Sequence, residues 1–124
     1  MKEIMAMIRV NKVDETREAL ELNGFHAHTC RKCLGRGKNA LSSAGQSLFM
    51  ATDTLSPLPE GGFAENRRLI AKRFFLLVVE DDEVSKVVNI LIKANQTGNP
   101  GDGKIFVRNI EENYCIRTGE RKDI

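Results

Sequence analysis

The hydrophobic period of this chain switches from two residues to that of a helix and back, twice, on either side of a stretch with no period at all. That pattern restricts the fold more than any single motif does. Ile4, Ala6, Ile8 and Val10 alternate with Met5, Met7 and Arg9, which predicts a strand. Asn11-Lys12 interrupts it. Asp14 and Glu15 suit the first turn of a helix, where the dipole favours acids. Val13, Thr16, Ala19 and Leu20 line one face of that helix, and Gly24 follows as a stop. Phe25 to Leu34 reads as a second strand. Residues 36–70 are rich in Ser, Gly, Thr and Pro, with Gly61-Gly62 in their later part, and predict one long loop. A loop of that length in a small domain is usually functional or disordered. Phe74 to Val79 is a short apolar run, predicted as a central strand buried on both faces. Asp81-Asp82 opens a second helix with a stripe of Val84, Val87, Val88, Leu91 and Ile92. Ile105-Phe106-Val107 predicts a fourth strand, and Tyr114 to Glu120 a short final one.

The order is β-α-β-loop-β-α-β in a single domain of 124 residues. It predicts the α+β class: a ferredoxin-like βαββαβ unit with an antiparallel sheet, both helices on one face, and the long loop between strands two and three. The fold by itself leaves function open. A net charge of +2 is too small for a general nucleic-acid or membrane-surface binder. No apolar run approaches the ~20 residues of a membrane-spanning helix. Met1-Lys2-Glu3 leads into an amphipathic strand, unlike a signal peptide. The expectation is a cytoplasmic protein without nucleic-acid partners or membrane insertion, whose Cys30, Cys33 and Cys115 are thiols.

Chemistry concentrates in Thr97-Gly98-Asn99-Pro100-Gly101-Asp102-Gly103-Lys104, between the second helix and the fourth strand. Glycines let backbone N–H groups approach a phosphate closely, and the lysine adds a point charge. Gly98 and Gly103-Lys104 satisfy G-x-x-x-x-G-K literally. Two facts oppose a nucleotide-hydrolysing P-loop. Ile105 stands where a Ser or Thr hydroxyl would meet Mg²⁺, and the segment runs from helix to strand rather than strand to helix. The plain alternative is a helix stop with a solvated lysine.

The rest of the chain weighs against that alternative. Gly101-Asp102-Gly103-Lys104-Ile105-Phe106-Val107 and the later Ile116-Arg117-Thr118-Gly119-Glu120 resemble the C-terminal signature of the PII signal-transduction family. Met1-Lys2-Glu3-Ile4, Arg17-Glu18-Ala19-Leu20, Gly24, Thr29 and Gly35-x-Gly37 resemble its N-terminal half, and Val78-Val79-x-Asp81-Asp82 its third strand and second helix start. The resemblance covers the whole chain apart from the long loop. It implies a trimer that binds ATP or ADP between subunits, with Mg²⁺ accompanying ATP and 2-oxoglutarate beside it. Residues 97–103 would be the family's B-loop, 36–70 its T-loop and 113–124 its C-terminal segment. Gly101, Asp102, Gly103 and Lys104 would meet the nucleotide, as would Arg117 from a neighbouring chain. Thr29 would lie at the adenine end, and Gly35, Gly37 and Lys38 at the turn into the T-loop. Lys72 and Asn39 would hold 2-oxoglutarate, and Asn39 would reach Mg²⁺ indirectly.

Three departures from the family pattern bear on the ligand. Asn39 replaces a glutamine and is one methylene shorter. Cys115 replaces the first of two arginines, which removes a cation from the phosphates. Asn99-Pro100 replaces a more usual Lys-Ile pair. ATP, ADP and AMP therefore all stay open. The T-loop is longer than in ordinary members, and its Gly35-Arg36-Gly37-Lys38 start is similar to the longer subtype of the nitrogen-fixation-cluster PII proteins. Those pair with a shorter paralogue and inhibit nitrogenase when ammonium is plentiful, and 2-oxoglutarate relieves the inhibition. The resemblance thus implies a homotrimer, or a mixed oligomer with a second PII-type subunit, acting on nitrogenase. An ammonium transporter or glutamine synthetase is the alternative target. The only tyrosine, Tyr114, lies outside the loop, so the loop holds no tyrosine to uridylylate.

Other clusters have plainer readings. His26, His28 and Cys30 share a strand face if the strand is regular, and Cys33 completes a C-x-x-C. Cys33 would then face the other way, and no second C-x-x-C exists to complete a zinc site. Packed thiols and half-exposed histidines are the expectation over a metal-binding module. Glu80 to Glu83 suit a helix start through the dipole alone. No nucleophile–base set is evident, so the chain reads as a regulator and not an enzyme.

Overall fold

The computed structural model describes residues 1–37 and 69–122. The observed elements are β1 (Lys2–Arg9), α1 (Val13–Leu22), β2 (Thr29–Gly35), β3 (Ile70–Val79), α2 (Val84–Asn95) and β4 (Lys104–Asn109). Short 3₁₀ turns at Val10–Lys12 and Asp81–Glu83 lead into the two helices. The sheet runs β2-β3-β1-β4 and every pairing is antiparallel. This is the ferredoxin-like βαββαβ unit that the periods predict.

Strand alternation divides the sheet into two faces. Ile4, Ala6 and Ile8 of β1 and Phe75, Leu77 and Val79 of β3 are buried. They pack with Leu20 of α1 and with Val87 and Leu91 of α2 in one core. The helices meet through a buried polar contact: Asn95 Nδ2 donates to Thr16 Oγ1 at 3.0 Å and to the Leu91 carbonyl at 2.9 Å. The Thr16 hydroxyl donates in turn to the Lys12 carbonyl at 2.7 Å, so α1 and α2 are keyed to each other at one height. A hydrogen bond enclosed in apolar surroundings is costly to leave half-made, which favours this one alignment.

Several expected boundaries move. β3 begins at Ile70 and not at Phe74, so the loop predicted over 36–70 ends a residue sooner and Lys72 sits within a strand. The polar start of β3 hid it: Lys72 and Arg73 break an apolar run without breaking the pairing to β1 and β2. The prediction that Phe74 to Val79 is covered on both faces is corrected. Phe75, Leu77 and Val79 face the helices, whereas Val78 is 43% exposed and Phe74 and Leu76 are only partly covered within one chain. β2 begins at Thr29 and not at Phe25, because the Phe25 amide still donates to the Leu20 carbonyl at 2.9 Å, closing α1 behind Gly24. His28, just before the strand, stacks on Phe75 with ring centroids 5.3 Å apart. The final strand expected over Tyr114 to Glu120 is instead a turn closed by one bridge, Tyr114 to Arg121.

Phe75 is fully buried at the centre of the helix-covered face. Phe75→Ala is expected to destabilise the protein by about 3–5 kcal/mol, read from urea denaturation.

Candidate functional site

The pairing register gathers three cations. Arg9 ends β1 opposite Lys72 of β3, and Lys104 begins β4 opposite Met7 of β1. Alternation puts all three on the face away from the helices, at one end of the sheet. The segment from Thr97 to Gly103 closes over that end.

A carboxylate organises the segment. Asp102 accepts from the backbone amides of Thr97 at 2.8 Å and Gly98 at 3.0 Å, from the Thr97 hydroxyl, and from Arg9 Nη1. Those contacts, the Thr97 hydroxyl first, hold the Asp102 carboxyl far below the usual carboxylate range. Arg9 also donates from Nη2 to the Pro100 carbonyl at 2.9 Å and from Nη1 to Thr97 Oγ1 at 3.3 Å. Lys72 Nζ donates to the Gly101 carbonyl at 2.7 Å. Burial, then the nearby Arg9, pulls the Lys72 ammonium below its ordinary pKa, and Asp102 partly opposes this. Among the described residues the Gly101 amide has no protein acceptor, and Gly101 lies beside the Arg9 and Lys72 cations, whereas Asp102 follows the hydrogen-bonded turn at Pro100-Gly101. An unpaired amide beside cations suits an anion.

Two glycines are required by geometry. Gly101 has φ +97° and lies between the cations: a Cβ there would stand 3.3 Å from Arg9 Nη2 and 3.7 Å from Lys72 Nζ. Gly103 has φ +112°, and its Cβ would fall 1.8 Å from the Met7 carbonyl oxygen. The loop thus rests backbone against backbone on β1, which no side chain allows.

The other predicted residues lie elsewhere. Thr29 is on the same face, but at the far end of the edge strand β2, opposite Leu76. It stands about 13 Å further along β3 than Lys72, at ~3.3 Å per residue. Gly35 ends β2 opposite Ile70, and Gly37 is the last described residue before the long loop. Lys38 and Asn39 lie outside the described residues. Arg117 is exposed in the turn of the C-terminal segment and takes no part in the Arg9–Asp102–Lys72 network. One chain therefore assembles the loop half of the predicted site and holds Thr29 and Arg117 apart from it.

Sequence reasoning missed Arg9, which reads only as a polar position of an alternating strand. Its signal was placement: a cation at the strand's last residue, on the face that carries Lys72. Cys30 packs against the core, whereas Cys33 sits opposite Lys72 on the other face. Burial, its largest influence, raises the Cys33 thiol pKa. No three His, Cys, Asp or Glu side chains converge among the described residues. At the helix start, the N-terminal ammonium meets Asp81 Oδ1 at 2.6 Å, and the Glu80 amide donates to Glu83 Oε2 at 3.3 Å. A cleft of about 410 Å³ adjoins the loop on the helix side, lined by Val88, Leu91, Ile92, Ile105 and Val107 with Lys104 at its rim. It is mostly apolar and does not include Arg9 or Lys72 in its lining.

Fold and site together define a βαββαβ domain with a glycine loop held against a cluster of cations at one end of its open sheet face. Comparison with known proteins supplies the family. Residues 1–120 match the family described as nitrogen regulatory protein P-II, and the chain belongs to it. Among its relatives is "Nitrogen fixation nifHD region GlnB-like protein 2" of Methanothermococcus thermolithotrophicus, 42% identical over 126 residues, covering 100% of this chain and 97% of that protein. The protein of the series named nifHD1 region GlnB-like protein 2, from Methanosarcina barkeri, is 36% identical over 124 residues, covering 100% of this chain and 98% of that one. A solved structure, Arabidopsis thaliana PII bound to citrate, superposes with a TM-score of 0.69 at 24% identity, covering 98% of this chain and 85% of that one. That likeness supports the fold. No helix among the described residues is long and apolar enough to cross a membrane.

Gly103→Ala is expected to destabilise the loop by at least about 2 kcal/mol, since it adds a left-handed strain to a backbone collision. Loss of the Lys104–Met7 pairing, seen in amide hydrogen exchange, checks this. The depressed Asp102 pKa sets a pH dependence with a fixed sign. Its stabilisation is complete above the ordinary carboxylate range and is lost as pH falls through the lower folded value. In an NMR acid titration the Thr97 and Gly98 amides should shift together at a pH below that range, and Asp102→Asn should abolish the transition.

Proposed function

We propose that this chain is a nitrogen-status regulator which binds an adenine nucleotide between neighbouring copies, takes 2-oxoglutarate beside it, and controls nitrogenase through residues 36–70. It carries out no chemistry of its own and works in the cytoplasm. The observation that carries the reading is the division of the site. The glycine loop with Arg9, Lys72 and Lys104 lies at one end of β3, β1 and β4, while Thr29 is at the other end of the edge strand β2 and Arg117 on the C-terminal turn. A head-to-tail contact that sets the β2 edge of one copy near the β4 edge of the next reunites the halves, and a contact of that kind closes into a ring. The partly exposed apolar side chains of the open face, Met7, Val78 and Phe106, favour such burial.

In this ring the Gly101 amide and Lys104 hold phosphates, joined by Arg117 of the adjacent copy, whose guanidinium suits bidentate contact. Thr29 meets the base, and Gly35, Gly37 and Lys38 border the nucleotide. Lys72 and Asn39 take 2-oxoglutarate, with Mg²⁺ beside ATP. Each ligand then biases which arrangement of residues 36–70 prevails, and with it docking on the target. Cys115, in place of a cation, shifts preference toward fewer phosphates. The names of the relatives, with their nifHD region, support the link to nitrogen fixation. A second PII-type subunit is the expected partner in the ring.

Calorimetry with ATP, ADP and AMP, each with and without 2-oxoglutarate, tests the reading alongside sedimentation analysis. The expected outcome is a trimer that binds at least one nucleotide, with Arg117→Ala weakening it about tenfold, as the loss of a charge-assisted pair implies. Absence of all nucleotide binding contradicts the reading. Recovery of a transporter and no nitrogenase component in a pull-down from nitrogen-fixing cells overturns the target.

A further inference from the structure

We propose that Arg9 is a positioning residue for the phosphate loop: its guanidinium holds the turn from Thr97 to Asp102 in the shape that presents the Gly101 amide to an anion. The proposal rests on the nucleotide reading above and adds a residue to it. The Arg9 side chain is 15% exposed, and three of its five N–H donors are spent inside the protein on Pro100, Thr97 and Asp102. Those acceptors lie on both sides of the Asn99 tip, so one rigid fork ties the two limbs of the loop together. A lysine ammonium at the same place is a single point and cannot span them all. Gly101 packs directly on the fork, with its missing Cβ 3.3 Å from Nη2. The guanidinium is therefore also the floor beneath Gly101.

Arg9 acts in a second way through its charge. With Lys72, Lys104 and Asp102 it leaves the loop end net positive, and a partly buried cation is weakly screened. Its removal is felt by each phosphate and not by an uncharged base or ribose. Geometry and field separate experimentally, because lysine keeps the charge and loses the fork.

The test compares wild type, Arg9→Gln and Arg9→Lys by NMR titration with ADP, pyrophosphate and adenosine, with the unliganded exchange rates of the Thr97 and Gly98 amides measured in the same samples. Arg9→Gln should weaken ADP and pyrophosphate by about tenfold or more, the scale of lost charge-assisted hydrogen bonds. It should leave adenosine within about twofold and speed exchange of both amides. Arg9→Lys should recover part of the affinity but not the slow exchange. If Arg9→Gln yields no folded protein, the lysine variant alone decides, through weakened ADP with unchanged adenosine. Equal losses for ADP and adenosine indicate general destabilisation and overturn the proposal. Wild-type binding matched by Arg9→Gln overturns it alone, leaving the nucleotide reading intact. A wild type that binds neither ADP nor pyrophosphate overturns both.

Discussion

β1 is paired on both edges, to β3 from Lys2 to Arg9 and to β4 from Lys2 to Met7. A slip of one residue in either pairing would exchange the two faces of a strand. Ile4, Ala6 and Ile8 would lose the helices, and Arg9 would turn from Lys72 toward the core. Burial of the helix-covered face therefore fixes the position of the cations on the other. The hydrophobic core and the charged end of the sheet are two readings of one register, and neither can be altered alone.

Given that register, the loop needs little from a ligand to take its shape. Asp102 draws the donors of Thr97, Gly98 and Arg9 onto one carboxylate, and Gly103 lies flat against Met7. A loop held in this way would lose little conformational freedom on meeting a ligand, so less of the interaction energy would go into ordering it. The arrangement also separates duties. The carboxylate and its donors are engaged within the protein, whereas the Gly101 amide is not.

The sequence shows the parts of this that depend on neighbours along the chain and hides the parts that depend on pairing. The helix stripe around Val87 and Leu91, the stop at Gly24 and the alternation in β1 are local, and each appears where its period predicts. The glycines at 101 and 103 were legible as a close-approach loop, and each packs where a Cβ would crowd Arg9 or the Met7 backbone. The start of β3 was not legible, because Lys72 and Arg73 look like loop residues until β1 and β2 are set beside them. Arg9 was missed for the same reason: its partners, Pro100 and Asp102, are more than ninety positions away. Phe74 and Val78 looked buried because an apolar run carries no record of whether its cover comes from the same molecule. Lys38 and Asn39 lie outside the described residues, so their part of the site rests on the motif.

The sheet order carries one more consequence. β2 and β4 are its two edges, and Thr29 stands four residues along the strands from the level of Lys72 and the glycine loop, so one chain holds them apart. In a ring built by joining those edges, every pocket has two owners. A subunit with a damaged loop silences its own pocket, yet still lends a sound edge to its neighbour's. A subunit with a damaged edge does the reverse. Two different kinds of subunit in one ring would thus create pockets that neither makes by itself, each with a loop from one parent and an edge from the other. Mixed composition would then be a means of tuning the sensor and not only of assembling it.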